Sequence, residues 1–103
     1  MSEENIKDTA KEEANHMELG KFYFLNNKYE EAVAEFKKVL DANPSNSEAY
    51  YNIGLINESC NKTDEAKEMY SKALSIRGDY KIARERLNKL IGRSEEHTSE
   101  LQS

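Results

Sequence analysis

Apolar side chains recur along most of this chain at spacings of three and four residues, which is the period of one face of an α-helix. These rows run from Glu13 to Tyr80 and are interrupted by short polar stretches at 26–28, 43–46 and 61–63. The stretches contain Asn and Pro, which end helices because Asn tolerates the left-handed conformation and Pro cannot donate a backbone hydrogen bond. The pattern therefore predicts an all-α chain whose helices are joined by short turns.

Four helices are predicted in this region, at about 13–26, 29–42, 47–60 and 64–77. Ser47 is expected to cap the third helix, because a serine hydroxyl can accept a hydrogen bond from the first turn. The side chains that the first helix is expected to turn toward the second are His16, Leu19, Phe22 and Tyr23. Those that the fourth helix is expected to contribute to the core are Ala66, Met69, Tyr70, Ala73, Leu74 and Ile76.

The region divides into two consecutive blocks of 34 residues with matching side chains in matching positions. The first block reads His16-x-x-Leu19-Gly20-x-x-Tyr23, then Ala32-x-x-x-Phe36, then Pro44. The second block reads Tyr50-x-x-Ile53-Gly54-x-x-Asn57, then Ala66-x-x-x-Tyr70, Ala73 and Gly78. A period of 34 residues with an aliphatic–Gly pair, Ala-x-x-x-aromatic and a closing turn residue resembles the tetratricopeptide repeat, a helix-turn-helix unit.

This resemblance implies an α-solenoid of two tetratricopeptide-like helix-turn-helix repeats plus a terminal helix. The segments it implies are a polar helical leader at 1–12, two repeats at 13–46 and 47–80, and a capping helix or truncated third repeat at 81–92. Both readings of the last segment stay open, and Asn88 stands where a full repeat has Gly. Gly20 costs a helix interior about 1 kcal/mol relative to Ala. We therefore expect a second helix to approach closely at Gly20.

The last eleven residues, 93–103, break the helical pattern abruptly. Their sequence, Arg-Ser-Glu-Glu-His-Thr-Ser-Glu-Leu-Gln-Ser, resembles the in-frame translation of a common short-read sequencing adapter. Such a segment is excluded before the fold is considered. We expect it to be a disordered artefact and the natural chain to continue differently after Gly92. His97 is accordingly not a candidate catalytic or metal-binding residue.

Charge and hydropathy exclude several classes of partner. The net charge of −5 is spread as mixed Lys and Glu, without the basic stripe that a nucleic-acid-binding protein needs. No apolar run approaches the roughly 18 residues of a membrane span, so no membrane association is expected. The N-terminus lacks the basic and apolar segments of a secretory signal, and a cytoplasmic location is expected.

Motifs for catalysis or cofactor binding are absent from the sequence. It contains no Cys and His cluster with metal-ligand spacing, no Ser-His-Asp set and no glycine-rich phosphate loop. We therefore expect no cofactor and no enzymatic activity. The single Cys60 cannot form an internal disulfide and is expected to be a small core or groove residue.

The resemblance implies a protein–protein interaction module, because tetratricopeptide arrays hold partner peptides or segments in a concave groove lined by the leading helix of each repeat. Transferred position by position, the groove residues are Met17, Lys21, Phe24, Tyr51, Asn52, Leu55, Ile82 and Arg86. The apolar members would form a floor, and the polar members would hold polar or acidic groups of a partner. The alternative for Phe24, Ile82 and the neighbouring Leu25 is packing against the leader helix or a missing third repeat.

Some members of the family bind the acidic C-terminal tails of cytosolic chaperones through a clamp of Lys, Asn, Asn, Lys and Arg, which meets two carboxylates with fixed donors. The corresponding residues here are Met17, Lys21, Asn52, Ile82 and Arg86. Only Asn52 and Arg86 match, which argues against chaperone-tail binding. Two other functions stay open: an N-terminal, substrate-recruiting fragment of a longer enzyme such as a transferase or peptidase, and self-association through the exposed end helix.

Overall fold

The computed structural model describes the backbone of residues 2–102 and the side chains of residues 9–92. The described chain contains five helices: α1 (Ser2–Leu25), α2 (Tyr29–Ala42), α3 (Ser47–Ser59), α4 (Thr63–Ile76) and α5 (Lys81–Gln102). α1 packs along α2 and α3 along α4, while contacts of α2 with α3 and of α4 with α5 join the pairs. The predicted all-α array of helix-turn-helix units is confirmed. The segment predicted to be a disordered tail, 93–103, instead continues α5 as helical backbone to Gln102, and its side chains lie outside those described.

The turns inside the two helix pairs have the same geometry. Asn27 and Asn61, 34 residues apart, both adopt positive φ angles, of 61° and 62°. The residue after each Asn donates a backbone hydrogen bond to a carbonyl of the preceding helix. The Lys28 amide bonds the Tyr23 carbonyl at 2.9 Å, and the Lys62 amide bonds the Asn57 carbonyl at 2.8 Å. These bonds satisfy carbonyls that a helix end otherwise leaves open. The predicted left-handed Asn turns are confirmed.

The cap of α3 differs from the prediction. Ser47 is the first residue of the helix, and Asn46 is the capping residue. The side-chain carbonyl of Asn46 accepts a 3.0 Å hydrogen bond from the backbone amide of Ala49. The same side chain donates a 2.7 Å hydrogen bond to Glu13 of α1. Asn46 is the N-cap because its side chain both accepts a hydrogen bond from an unpaired amide of the first turn and connects α3 to α1.

The core is built around two glycines. A Cβ atom at Gly20 would lie 2.6 Å from the ring of Phe36, and one at Gly54 would lie 2.5 Å from the ring of Tyr70. Phe36 and Tyr70 are both fully buried. The close approach predicted at Gly20 is confirmed, and its cause is an aromatic ring of the returning helix.

Several side chains predicted to be inside are exposed. Leu19 and Phe22 lie on a side of α1 that does not contact α2, and Ile76 lies near the C-terminal end of α4. Cys60, expected in the core or groove, is exposed because it stands just beyond the last turn of α3. The 3.6-residue period identifies an apolar side of a helix but not the neighbour that covers it.

Candidate functional site on the leading helices

The leading helices α1, α3 and α5 are connected through side-chain contacts on one shared surface. The amide of Asn52 lies 3.8 Å from the sulfur of Met17, connecting α3 to α1. An ion pair of 2.8 Å joins Lys21 of α1 to Glu48 of α3. The surface that we call the leading-helix face consists of the eight residues predicted for the groove: Met17, Lys21, Phe24, Tyr51, Asn52, Leu55, Ile82 and Arg86.

α3 forms the centre of this face. Its residues 48, 51, 52, 55 and 58 are spaced by three or one positions, so they follow one side of the helix. At the N-terminal end of the row, Glu48 pairs with α1. At the other end, Glu58 pairs with Arg86 of α5 at 3.3 Å. Leu55 lies between the two ion pairs and is half-buried.

Three of the eight residues form the buried layer of the leading-helix face. Met17, Tyr51 and Asn52 are each less than a tenth exposed. The ring of Tyr51 packs against the rings of Tyr70 and Tyr80, with centroid distances of 5.7 and 5.3 Å. These residues therefore hold the leading helices together and present little surface to a partner.

The other five residues retain accessible surface. Lys21 and Ile82 are exposed, and Phe24, Leu55 and Arg86 are half-buried. The ring of Phe24 lies 5.9 Å from that of Tyr29, at the start of α2. Phe24 thus packs within its own helix pair, which neither sequence-based alternative for this residue predicts.

Glu58 is the central acceptor of a polar cluster on this face. Its Oε1 atom accepts 2.6 Å and 3.3 Å hydrogen bonds from the Tyr70 hydroxyl and an Arg86 guanidinium nitrogen. Burial, and then the hydrogen bond to the Glu58 carboxylate, raise the pKa of Tyr70 far above its usual value. Lys21 and Arg86 are thus both paired with carboxylates of α3.

A second polar cluster, which sequence reasoning missed, links α1 to α2 away from this face. Glu35 is buried and lies 2.7 Å from Nδ1 of His16 and 3.1 Å from the Lys38 ammonium group. Burial raises the pKa of Glu35, but the contacts with His16 and Lys38 outweigh it and hold the pKa below its usual value. The sequence showed only the spacing of Glu35 and Lys38, because His16 is 19 positions distant.

A hollow of about 570 Å³ lies apart from the leading-helix face and is lined by α2, α3 and α4. Its apolar lining includes Val33, Leu40, Tyr50 and Met69. Among the side chains described, no group of three or more His, Cys, Asp or Glu residues could hold a metal ion. Within the same residues, no helix is long and apolar enough to span a membrane.

Sequence comparisons with known proteins agree with the two helix pairs. A family model described as TPR repeat matches residues 20–59, and one described as Tetratricopeptide repeat matches residues 47–80. A TPR repeat-containing protein of Methanocaldococcus jannaschii is 42% identical over 50 residues. That match covers 48% of this chain and 16% of the relative, so the chain corresponds to a small part of that protein.

Solved structures share the fold at low sequence identity. The TPR2B domain of yeast Sti1, solved in a complex with pHsp70, has a TM-score of 0.76 and 20% identity, over 88% of this chain and 73% of the other. The first TPR of Spaghetti, bound to the HSP90 peptide SRMEEVD, has a TM-score of 0.73 and 22% identity, over 79% and 64%. Because the two family models together match residues 20–80 and both helix pairs are present, this chain belongs to the tetratricopeptide repeat family.

Proposed function

We propose that this chain is a non-enzymatic protein–protein interaction module whose leading-helix face binds an extended or helical segment of a partner. The observation that carries the proposal is the setting of Leu55, a half-buried apolar side chain at the centre of a face bounded by two ion pairs. The peptides and complexes recorded for the Spaghetti and Sti1 domains support peptide binding on this fold.

The apolar contacts would come from all three leading helices. Phe24, Leu55 and Ile82 contribute one accessible apolar side chain each from α1, α3 and α5. Beneath them, the buried layer of Met17, Tyr51 and Asn52 fixes their spacing. A preformed row of this kind gains affinity because little side-chain freedom is lost on binding.

The charges of the face favour a partner segment that is not strongly acidic. Lys21 and Arg86 are already neutralised by Glu48 and Glu58 of the same chain. An acidic ligand would have to displace these carboxylates, and each exposed ion pair is worth about 0–1 kcal/mol. The face therefore attracts a carboxylate less than a set of unpaired cations would.

The same contacts support the prediction that acidic chaperone tails are not ligands. Where the clamp has lysines, this chain has Met17, which is buried, and Ile82, which is apolar. Arg86 matches the clamp but is paired with Glu58.

The test is a titration of the heptapeptide SRMEEVD into the chain, followed by isothermal titration calorimetry. We expect no saturation below about 1 mM peptide, a weak-binding regime of roughly −4 kcal/mol. Tight binding that Arg86→Ala removes would contradict the proposal.

The groove itself is tested by selecting binders from a displayed library of random 12-residue peptides. We expect Leu55→Asp to weaken the selected peptides at least about tenfold, because it places a charge in the centre of the apolar row. Ile76→Asp is the matched control, because Ile76 is an exposed isoleucine on α4. Tyr51→Ala is unsuitable, because Tyr51 packs against Tyr70 and Tyr80 in the core. An equal loss of peptide affinity in Leu55→Asp and Ile76→Asp would show that the selected peptides do not bind at the leading-helix face.

The cytoplasmic location and the alternative role in recruiting substrate to a longer enzyme stay predictions. An assay of a longer natural protein, with and without Leu55→Asp, would test the second. Substrate recruitment requires that the substitution raise KM and leave kcat unchanged.

A further inference from the structure

The outer side of α1 carries an apolar row that the described part of the chain leaves uncovered. Leu19 is 43% exposed and Phe22 is 58% exposed. Leu25, three positions further along α1, is 82% exposed. Single exposed apolar side chains are ordinary, but neighbouring ones on one side of a helix mark an interaction surface.

The 34-residue repeat supplies buried internal equivalents for Leu19 and Phe22, whereas Leu25 corresponds to the exposed Ser59. Leu19 corresponds to Ile53 in α3 and Leu87 in α5, whereas Phe22 corresponds to Ile56 and Leu90. The exposed fractions of these equivalents are 6% for Ile53, 9% for Leu87, 2% for Ile56 and 1% for Leu90. The same positions are therefore buried in α3 and α5 and open in α1.

The helix that covers each buried row is the returning helix that precedes it. Ile53 and Ile56 share a core cluster with Phe36 and Val39 of α2, and Leu40 packs against that cluster. In the second instance, the residues that cluster with Leu87 and Leu90 include Tyr70, Ala73 and Leu74 of α4. Of the three leading helices described, only α1 has no returning helix before it.

We propose that the outer side of α1 is a second interaction surface, which binds an amphipathic helix of a partner polypeptide with the pattern of α2 and α4. That pattern is an aromatic residue followed three and four positions later by aliphatic ones, as in Phe36-x-x-Val39-Leu40 and Tyr70-x-x-Ala73-Leu74. The surface is separate from the leading-helix face, and this proposal does not depend on the function proposed there.

A partner polypeptide fits this surface better than a second copy of the chain. Within the described residues, α2 already covers α3, and α4 already covers α5. In a second copy, therefore, both returning helices already cover a leading helix of their own chain.

One position of α1 restricts the sequence of the partner helix. The residue equivalent to the buried Ala49 and Ala83 is the exposed Asn15, so the bound helix needs a polar or small side chain there.

The test uses a synthetic peptide with the sequence of residues 29–46, which contains α2, titrated into the ¹⁵N-labelled 103-residue chain. Nuclear magnetic resonance spectra report which amides shift. A peptide of this length is marginally helical alone, so binding will be weak but saturable. We expect the largest shifts at Leu19, Phe22 and their neighbours in α1. A scrambled peptide is expected to cause none.

The double variant Leu19→Asp with Phe22→Asp is expected to weaken the peptide at least about tenfold. Ile76→Asp with Ile91→Asp is the matched control and should bind as the parent does, because it places the same charges at exposed isoleucines that lie outside both proposed surfaces. Both variants should keep the parent circular dichroism spectrum. Three outcomes would overturn the proposal: equal weakening in both variants, peptide shifts confined to α3, or α1 shifts that grow with chain concentration alone, which would indicate a second copy as the occupant.

Discussion

The hydroxyl of Tyr70 donates a 2.6 Å hydrogen bond to the carboxylate of Glu58, and this bond joins the core of the second helix pair to the polar cluster on the leading helices. Tyr70 is fully buried, and its ring lies 2.5 Å from the position that a Cβ atom of Gly54 would occupy. Glu58 in turn accepts from Arg86 of α5. One chain of contacts therefore runs from the glycine of the repeat motif to a candidate binding residue.

Tyr70→Phe removes this hydrogen bond and keeps the ring. We expect the free energy of unfolding to fall by about 1.5–3 kcal/mol, since the acceptor is a carboxylate. Urea unfolding followed by circular dichroism measures the change. Tyr29→Phe is the matched control, because the Tyr29 hydroxyl donates a longer, exposed bond of 3.2 Å to Asn27. An equal loss of unfolding free energy in Tyr29→Phe would show that the hydrogen bond to Glu58 stabilises the fold no more than an exposed one does.

Alkaline pH should destabilise the fold through the same residue. The pKa of Tyr70 is raised by burial and then by Glu58, and that of Tyr80 is raised by burial and then by Glu48. A raised folded-state pKa gives stability that is full below the unfolded value of about 10 and is lost as the pH rises above it. We expect the urea midpoint to fall above pH about 10 and to fall less steeply in Tyr70→Phe. Parallel curves for the two proteins would contradict this account.

Gly54→Ala should destabilise the chain although Ala is the better helix former. The added Cβ atom would lie 2.5 Å from the ring of the fully buried Tyr70, which has little room to move. Overpacking of this kind typically costs about 1–3 kcal/mol, more than the roughly 1 kcal/mol gained in helix propensity. Gly92→Ala is the control, because among the described residues nothing beyond its own stretch of helix lies within 4 Å of a Cβ atom there. Thermal unfolding should show a lower Tm for Gly54→Ala and an equal or higher one for Gly92→Ala.

Acid should weaken the contact between α1 and α2 through Glu35. Burial alone would raise its pKa, but the contacts with His16 and Lys38 lower it below the ordinary 4.5. A lowered folded-state pKa gives stability that is present above the unfolded value and is lost as the pH falls through the folded one. We expect Glu35→Gln to flatten the loss of stability below pH about 4.5 in urea titrations. Glu31→Gln, at an exposed site on the same helix, should keep the parent slope.

Asn46→Ala should cost about 1–2 kcal/mol, because it removes both the cap of α3 and the hydrogen bond to Glu13. Asn46→Asp separates the two effects, since it keeps the cap acceptor and places a carboxylate beside Glu13. We expect Asn46→Asp to recover only part of the loss at pH 7. Ser47→Ala, at the cap predicted from sequence, should be nearly neutral in urea unfolding. A larger cost for Ser47→Ala than for Asn46→Ala would restore the sequence-based prediction.

The sequence by itself determined the elements of this protein, because helix period, turn chemistry and the 34-residue repeat are local. The positive φ angles of Asn27 and Asn61 and the close approach at Gly20 follow from single residue types. The eight residues of the leading-helix face could be named by repeat position, but their exposure could not. A periodic pattern predicts which residues share a side of a helix, not which neighbour covers that side.

The tertiary structure alone decided which apolar rows are buried and which charges are paired. Ile53 and Leu19 occupy the same repeat position, yet one is covered by α2 and the other is open, because α3 follows a returning helix and α1, in the described chain, does not. Likewise, His16 meets Glu35 and Arg86 meets Glu58 across 19 and 28 positions of sequence. Such pairs form only when separate helices pack, so local pattern carries no signal for them.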